Sequence, residues 1–417
     1  MSTTGSHSAS ANPAAHAATA NPGPHPAGSN PAAHAAGANP GAHSASANPA
    51  TKPDGASPPG GSAKPKMALY WAASCGGCEI AVLAINEKIL DVAAAFDIVF
   101  WPCVMDGKVR DVERLPDGAI ELCLFNGGIR TSEQEYMAQL LRRKSKILVA
   151  FGSCAHEGCI PGLANLSSRE EIFRTVYEES PSTENPAGVH PQAQTHVPEG
   201  ELLLPYFYDT LRTLDQTVPV DYYLPGCPPE AENIWKMVEA VLAGKLPPRG
   251  TVLGPTSTVC DECPRKRQEK KIRQFQRTWQ TVPDEENCLL EQGIICCGIA
   301  TRAGCGALCP RVNSPCIGCH GPNVGVADFG ARMMSGLASV LDANTPEEIE
   351  RILNEGIPDP VGMFYRFSLA ASLLRRSRRR KAGAPGGGPG PDGGNGGGNG
   401  ADRPIGSTTQ KVSAPSG

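Results

Sequence analysis

The sequence predicts an α/β fold: a doubly wound parallel sheet, then a small, irregular cysteine-rich domain, with disordered termini. Three observations carry this reading. Short apolar runs alternate with helix-period segments from about residue 67 to 250, the pattern of a mostly parallel sheet. From 251 to 330 that alternation stops and cysteines crowd together. Both ends lack the large apolar side chains a core needs.

MALYWAA (67–73) is the first strand, and CEIAVLAINEKILDVAAAF (78–96) has the apolar spacing of one helix. FDIVFWP (96–102) and AIELCLFNG (119–127) are buried strands, joined by a polar connection with the turn Pro116-Asp117-Gly118. SEQEYMAQLLRRKS (132–145) is a helix whose Ser132 and Glu135 are spaced as a capping box. KILVAFG (146–152) is the next strand and SSREEIFRTVYEE (167–179) the next helix. A long loop rich in Pro, His and Gln (181–199) leads to a last strand, PVDYYLPG (219–226), and a closing helix, PEAENIWKMVEAVLAG (229–244). Beyond the cysteine-rich stretch lie two short helices, GARMMSGLASVLDA (330–343) and PEEIERILNEG (346–356).

The ends read differently. Residues 1–66 contain no Leu, Ile, Val, Phe, Tyr or Trp and include five tandem nonapeptides, with His7, His16, His25, His34 and His43 in register. The repeat has no apolar face to stack, so it predicts a disordered arm and not a solenoid. Residues 376–417 form a basic, then Gly-rich tail. The domain expectation is therefore a 1–66 arm, a 67–250 sheet domain, a 251–375 cysteine-rich domain and a 376–417 tail. No run reaches transmembrane length, and MSTTGSHSAS has no export-signal character, which predicts a cytoplasmic protein. A formal net charge of −4 gives no reason to expect nucleic-acid binding.

Sixteen cysteines lie between 75 and 319, a density that in a reducing compartment points to metal or cluster chemistry. Cys75, Cys78, Cys154 and Cys227 each follow a predicted strand. Parallel sheets gather their ligands at that edge. The later set is Cys260, Cys263, Cys288, Cys296, Cys297, Cys305, Cys309, Cys316 and Cys319. Few histidines are available, and the first four thiols span more than 150 residues, unlike a zinc knuckle. Iron–sulfur clusters take four thiolates and tolerate such spacing. The stretch from 251 has too little apolar material for a large core, so bound metal is expected to supply much of its folding energy. Cys103, Cys123 and Cys159 are left over and are expected to be small buried residues, with Cys159 an alternative ligand.

CGGC, FGSCAH and LPGCPPE resemble the small subunit of nickel–iron hydrogenases. CDECPR, CLLEQGIICCGIATRAGCGALCP and PCIGCHGP resemble the methyl-viologen-reducing, heterodisulfide-reductase-associated type. The likeness covers about residues 67–375. It implies a flavodoxin-like doubly wound sheet followed by an iron–sulfur cluster domain, and three 4Fe-4S clusters. Cys75, Cys78, Cys154 and Cys227 match the proximal set; Cys260, Cys263, Cys288 and Cys296 the distal; Cys305, Cys309, Cys316 and Cys319 the medial. The family pattern favours Cys296 over its neighbour Cys297, and Cys309 in place of proline implies four irons in the medial cluster. The nickel–iron centre would sit on a separate large subunit, leaving this chain with no catalytic residue beyond a possible proton route through Glu79. His156 is a candidate to hydrogen-bond a cluster sulfide or the partner, or simply a loop histidine. The implied acceptor is an iron–sulfur and flavin protein such as a heterodisulfide-reductase-like complex. Two alternatives stay open: a 20 kDa quinone-reducing subunit like that of complex I, with one cluster, and a zinc-stabilised interaction scaffold.

Overall fold

The structure, a computed structural model, describes residues 64–268 and 271–374. The expected N-terminal arm and basic tail lie outside the described residues. Six strands form the central sheet: β1 (Lys66–Trp71), β2 (Asp97–Phe100), β3 (Ile120–Asn126), β4 (Ser145–Phe151), β5 (Tyr222–Leu224) and β6 (Thr251–Val252). Their order is β2-β1-β3-β4-β5-β6, and every pairing is parallel. The chain reverses direction across the sheet between β1 and β3, the switch-point topology of flavodoxin-like folds.

Burial on both faces explains why these strands are continuous apolar runs. Met67 and Leu69 of β1, with Leu122 and Leu124 of β3, face one core. Ala68 and Tyr70, with Cys123 and Phe125, face the other. Helices α1 (Gly77–Leu83) and α2 (Lys88–Ala95) cover the first face, with the later helix Ala231–Leu242; α3 (Val109–Arg114) and α4 (Ser132–Lys144) cover the second. The single helix expected over 78–96 is broken into α1 and α2 at Asn86, whose left-handed φ of 58° interrupts the helical hydrogen bonds. The cap of α4 also lies one residue upstream of the expected pair. Thr131 accepts from the Gln134 N–H, and the Gln134 side chain accepts from the Thr131 N–H.

Between β4 and β5 lie the short α-helices α5 (Ser153–Glu157), α6 (Cys159–Gly162) and α7 (Arg169–Arg174). The expected loop over 181–199 contains part of an antiparallel hairpin, Gln194–Val197 with Gly200–Leu203. Its strands are largely exposed, so no core-facing alternation marks them. Helix α8 (Ala231–Leu242) then closes the first half.

The second half contains the short helices α9 (Val259–Glu262) and α10 (Leu308–Arg311), followed by α11 (Phe329–Ala338), α12 (Pro346–Gly356) and α13 (Pro360–Phe364). It has a larger apolar core than residues 251–330 alone predict. Phe329, Met333 and Leu337 of α11, Ile352 of α12 and Phe364 of α13 pack over Val259, Ile272, Phe275 and Leu290. Among the described residues no helix is long and apolar enough to cross a membrane.

Candidate metal centre

The first four candidate cysteines sit where the sheet ends. Cys75 lies in the turn between β1 and α1, and Cys78 is in the first turn of α1. Cys154 opens α5 directly after β4, and Cys227 follows β5. Two hydrogen bonds lash these turns together: Gly152 N–H donates to the Leu224 carbonyl at 2.9 Å, and Ser153 N–H to the Gly226 carbonyl at 2.8 Å. Gly152 has a φ of 80°, and a β-carbon there would stand 2.4 Å from the Cys78 Sγ. Only glycine allows the β4–α5 turn to approach this sulfur.

The thiols are close enough to perturb one another. Burial, then the neighbouring Cys227, Cys75 and Cys159 sulfurs, push the Cys78 thiol far above its ordinary range. Thiols held together out of water resist becoming thiolates unless a cation joins them. A site of this kind therefore suits a metal.

The later cysteines form two further groups. Cys260, Cys263, Cys288 and Cys296 line one cavity together with Gly298. A β-carbon on Gly298 would lie 3.1 Å from the Cys260 Sγ and 3.8 Å from the Cys296 Sγ. Cys297 is absent from that lining and is buried beside Cys316, whose carbonyl accepts its N–H at 2.8 Å. Burial pushes the Cys260 thiol up to about 12, and Cys296, Cys288 and Cys263 add to the shift. In the remaining group, burial and the Cys305, Cys227 and Cys309 sulfurs, with Glu230, raise Cys319 to about 12. Cys316 rises to about 12 through burial and its neighbours Cys319 and Cys305.

Ser153 joins the first group to the last. Its Oγ donates to the Cys319 carbonyl at 2.6 Å, and Cys227 and Cys319, half-buried, pack against a small buried cluster of Cys154, Cys159 and Phe367.

Cys159 and Cys123 are buried as expected, and Cys103 is not. Cys159 is fully buried, with its Sγ 3.5 Å from that of Cys227. Cys123 is a buried core residue as expected, whereas Cys103 is exposed, because it follows β2 and leaves the sheet. His320 Nε2 lies 2.8 Å from Glu230 Oε2, and donor atoms of Glu230, Cys305 and His320 fall within 4.8 Å of one another. The sequence offered no histidine at metal-ligand spacing from a cysteine; folding brings His320 to Cys305 from fifteen positions away. Three donors leave this trio one short of a closed tetrahedral zinc site.

Glu79 is buried in the first turn of α1, and Trp101 Nε1–H donates to its Oε2. Burial raises its carboxyl, and the Trp101 hydrogen bond opposes that rise. His156 is held neutral by burial, which lowers it to about 4, and its ring lies 4.7 Å from that of Tyr223. Neighbouring Glu157 is buried with no hydrogen-bond partner for either oxygen; burial raises it to about 8 while Arg302 pulls the other way.

Residues 75–241 match the family model described as NADH ubiquinone oxidoreductase, 20 Kd subunit. The iron–sulfur subunit of the F420-non-reducing hydrogenase of Archaeoglobus profundus is 43% identical over 75% of this chain and 98% of its own length. A vhu subunit of the F420-non-reducing hydrogenase of Methanocaldococcus jannaschii is 37% identical over 75% of this chain and 97% of its own. A solved NAD+-reducing NiFe-hydrogenase, in the H2-reduced state, aligns at 29% identity over 44% of this chain and 94% of that one, with a TM-score of 0.38. Likeness of this extent to the two archaeal hydrogenase subunits, running through both cysteine-bearing halves, makes the chain a member of the family of small subunits of methyl-viologen-reducing, F420-non-reducing hydrogenases.

Proposed function

We propose that this chain is the three-cluster electron conduit of a cytoplasmic nickel–iron hydrogenase, passing electrons from hydrogen oxidation on a separate large subunit to an iron–sulfur and flavin acceptor of the heterodisulfide-reductase type. The observation that carries it is the cavity lined by Cys260, Cys263, Cys288 and Cys296, four thiols drawn from separated positions in the chain, with further thiols gathered at the sheet edge. The proposed ligands are Cys75, Cys78, Cys154 and Cys227 for the proximal cluster, Cys260, Cys263, Cys288 and Cys296 for the distal, and Cys305, Cys309, Cys316 and Cys319 for the medial. Four-iron clusters, when bound, supply one-electron redox centres.

The protein's part is to hold those centres in line and to shield them. Cys75 is exposed beside exposed Trp71, Ile80 and Leu83, an apolar rim suited to a permanent large-subunit interface. Cys319 contacts the sheet half through Ser153, so electrons leaving the proximal site meet the medial site next. The distal thiols Cys260 and Cys288 also border a second cavity with Arg267 and Arg332, on the side proposed to face the acceptor. Glu79, buried in the first turn of α1 next to Cys78, is the proposed proton route. The domain division at residues 250 and 251 follows the same logic: one cluster in the sheet domain and two in the second.

Iron and acid-labile sulfide analysis of the anaerobically purified chain tests this reading. Three clusters require about twelve irons per chain, whereas a quinone-reducing subunit with one cluster requires about four. The match to a 20 Kd subunit of NADH ubiquinone oxidoreductase ends at residue 241 and leaves both later thiol groups outside it. A colourless zinc protein would end the conduit reading.

A further inference from the structure

The proximal assignment uses four thiols, yet five converge at the sheet edge. Cys159 has no solvent exposure, and its sulfur lies 3.5 Å from that of Cys227. Cys154 is buried in the same small cluster. Its backbone is held at a φ of 48°, a left-handed conformation that disfavours a side chain with a β-carbon. Two contacts enforce that conformation. The Cys159 N–H donates to the Phe367 carbonyl at 3.0 Å, and Gly158, with a φ of 89°, packs so tightly that a β-carbon there would stand 2.4 Å from that of Ala370. Glycine would satisfy the backbone at 159 more cheaply, yet a thiol stands there and is aimed into the site.

We propose that Cys159 is a fifth ligand-competent thiol of the sheet-edge site, able to replace Cys227 on the same iron. This rests on the cluster reading above. With a cluster bound, the exchange would be redox-neutral: Cys159 would take the ligand position of Cys227, and the Cys159 thiol proton would end on the released Cys227 sulfur. The short separation between the two sulfurs lets this happen by side-chain rotation, without moving the sheet edge. No other leftover cysteine has this placement, since Cys103 is exposed, Cys123 lies inside β3 and Cys297 sits beside Cys316.

The test compares three variants of the full chain, produced in the native host and purified without air: Cys227→Ala, Cys159→Gly and Cys227→Ala/Cys159→Gly. Glycine at 159 suits the left-handed backbone and so separates ligand loss from misfolding. The proposal expects both single variants to keep wild-type iron, with the electron paramagnetic resonance signal of one reduced cluster shifted in Cys227→Ala. It expects the double variant to lose about a third of the iron, one four-iron cluster of three. Loss of that iron in Cys227→Ala alone overturns it, as does full iron in the double variant. Wild-type chain without iron and sulfide would instead remove the cluster reading itself.

Discussion

The two halves of the molecule rely on cysteine to different degrees. In the sheet half two apolar cores, one on each face, are closed mainly by aliphatic and aromatic side chains; of the candidate thiols only Cys78 belongs to one of them, and Cys75 is exposed. In the second half the thiols belong to the core: Cys297 and Cys316 are among its buried residues, and Cys263, Cys288, Cys296 and Cys305 pack against it. A core closed mostly by other side chains outlasts the loss of its metal, whereas a core built largely around ligands couples metal retention to folding.

The largest expected effect follows from that contrast. Stripping iron anaerobically with a chelator should abolish amide hydrogen-exchange protection around 258–320, while β1, β3 and β4 keep theirs; equal loss in both halves would break the distinction. Next in size, Phe125→Ala should cost about 3–5 kcal/mol of unfolding free energy whether or not iron is bound. Phe125 is fully buried, with its ring centroid 5.2 Å from that of Tyr70, in a core that contains no proposed ligand. Met333→Ala should cost about 2–5 kcal/mol in the iron-loaded chain and much less in the stripped chain, since its core is expected to disperse with the metal. Denaturant titrations of loaded and stripped protein check both substitutions. The smallest effect is a control: Thr131→Ala should remove the α4 cap for about 1 kcal/mol, with no change in iron content.

The fold of the first half was largely readable because parallel strands buried on both faces leave an unmistakable mark. Met67 to Tyr70 and Leu122 to Phe125 are unbroken apolar runs for that reason. What escaped depends on single-residue geometry. Asn86 breaks a helix whose apolar spacing continues across it, and the α4 cap uses Thr131 with Gln134 where Ser132 with Glu135 looked equally suitable. The 194–203 hairpin escaped because its side chains face solvent on both sides. At the site, cysteine spacing identified candidates but not their company. The nearness of Cys159 to Cys227 requires the left-handed turn at 158–159 and the returning Phe367 segment, and the His320–Glu230 contact joins residues 90 positions apart. The second-half core was underestimated because helices beyond residue 328 supply much of it.

The hydroxyl of Ser153 carries a consequence for speed. Tunnelling weakens steeply with every added ångström, so a joint that slides between donor and acceptor would make turnover fluctuate with thermal motion. One short hydrogen bond, from the residue beside Cys154 to the carbonyl of Cys319, pins the two halves across the proposed first hop. The Cys159 N–H to Phe367 carbonyl bond and the His320–Glu230 contact brace the same joint, so the spacing is held at several points.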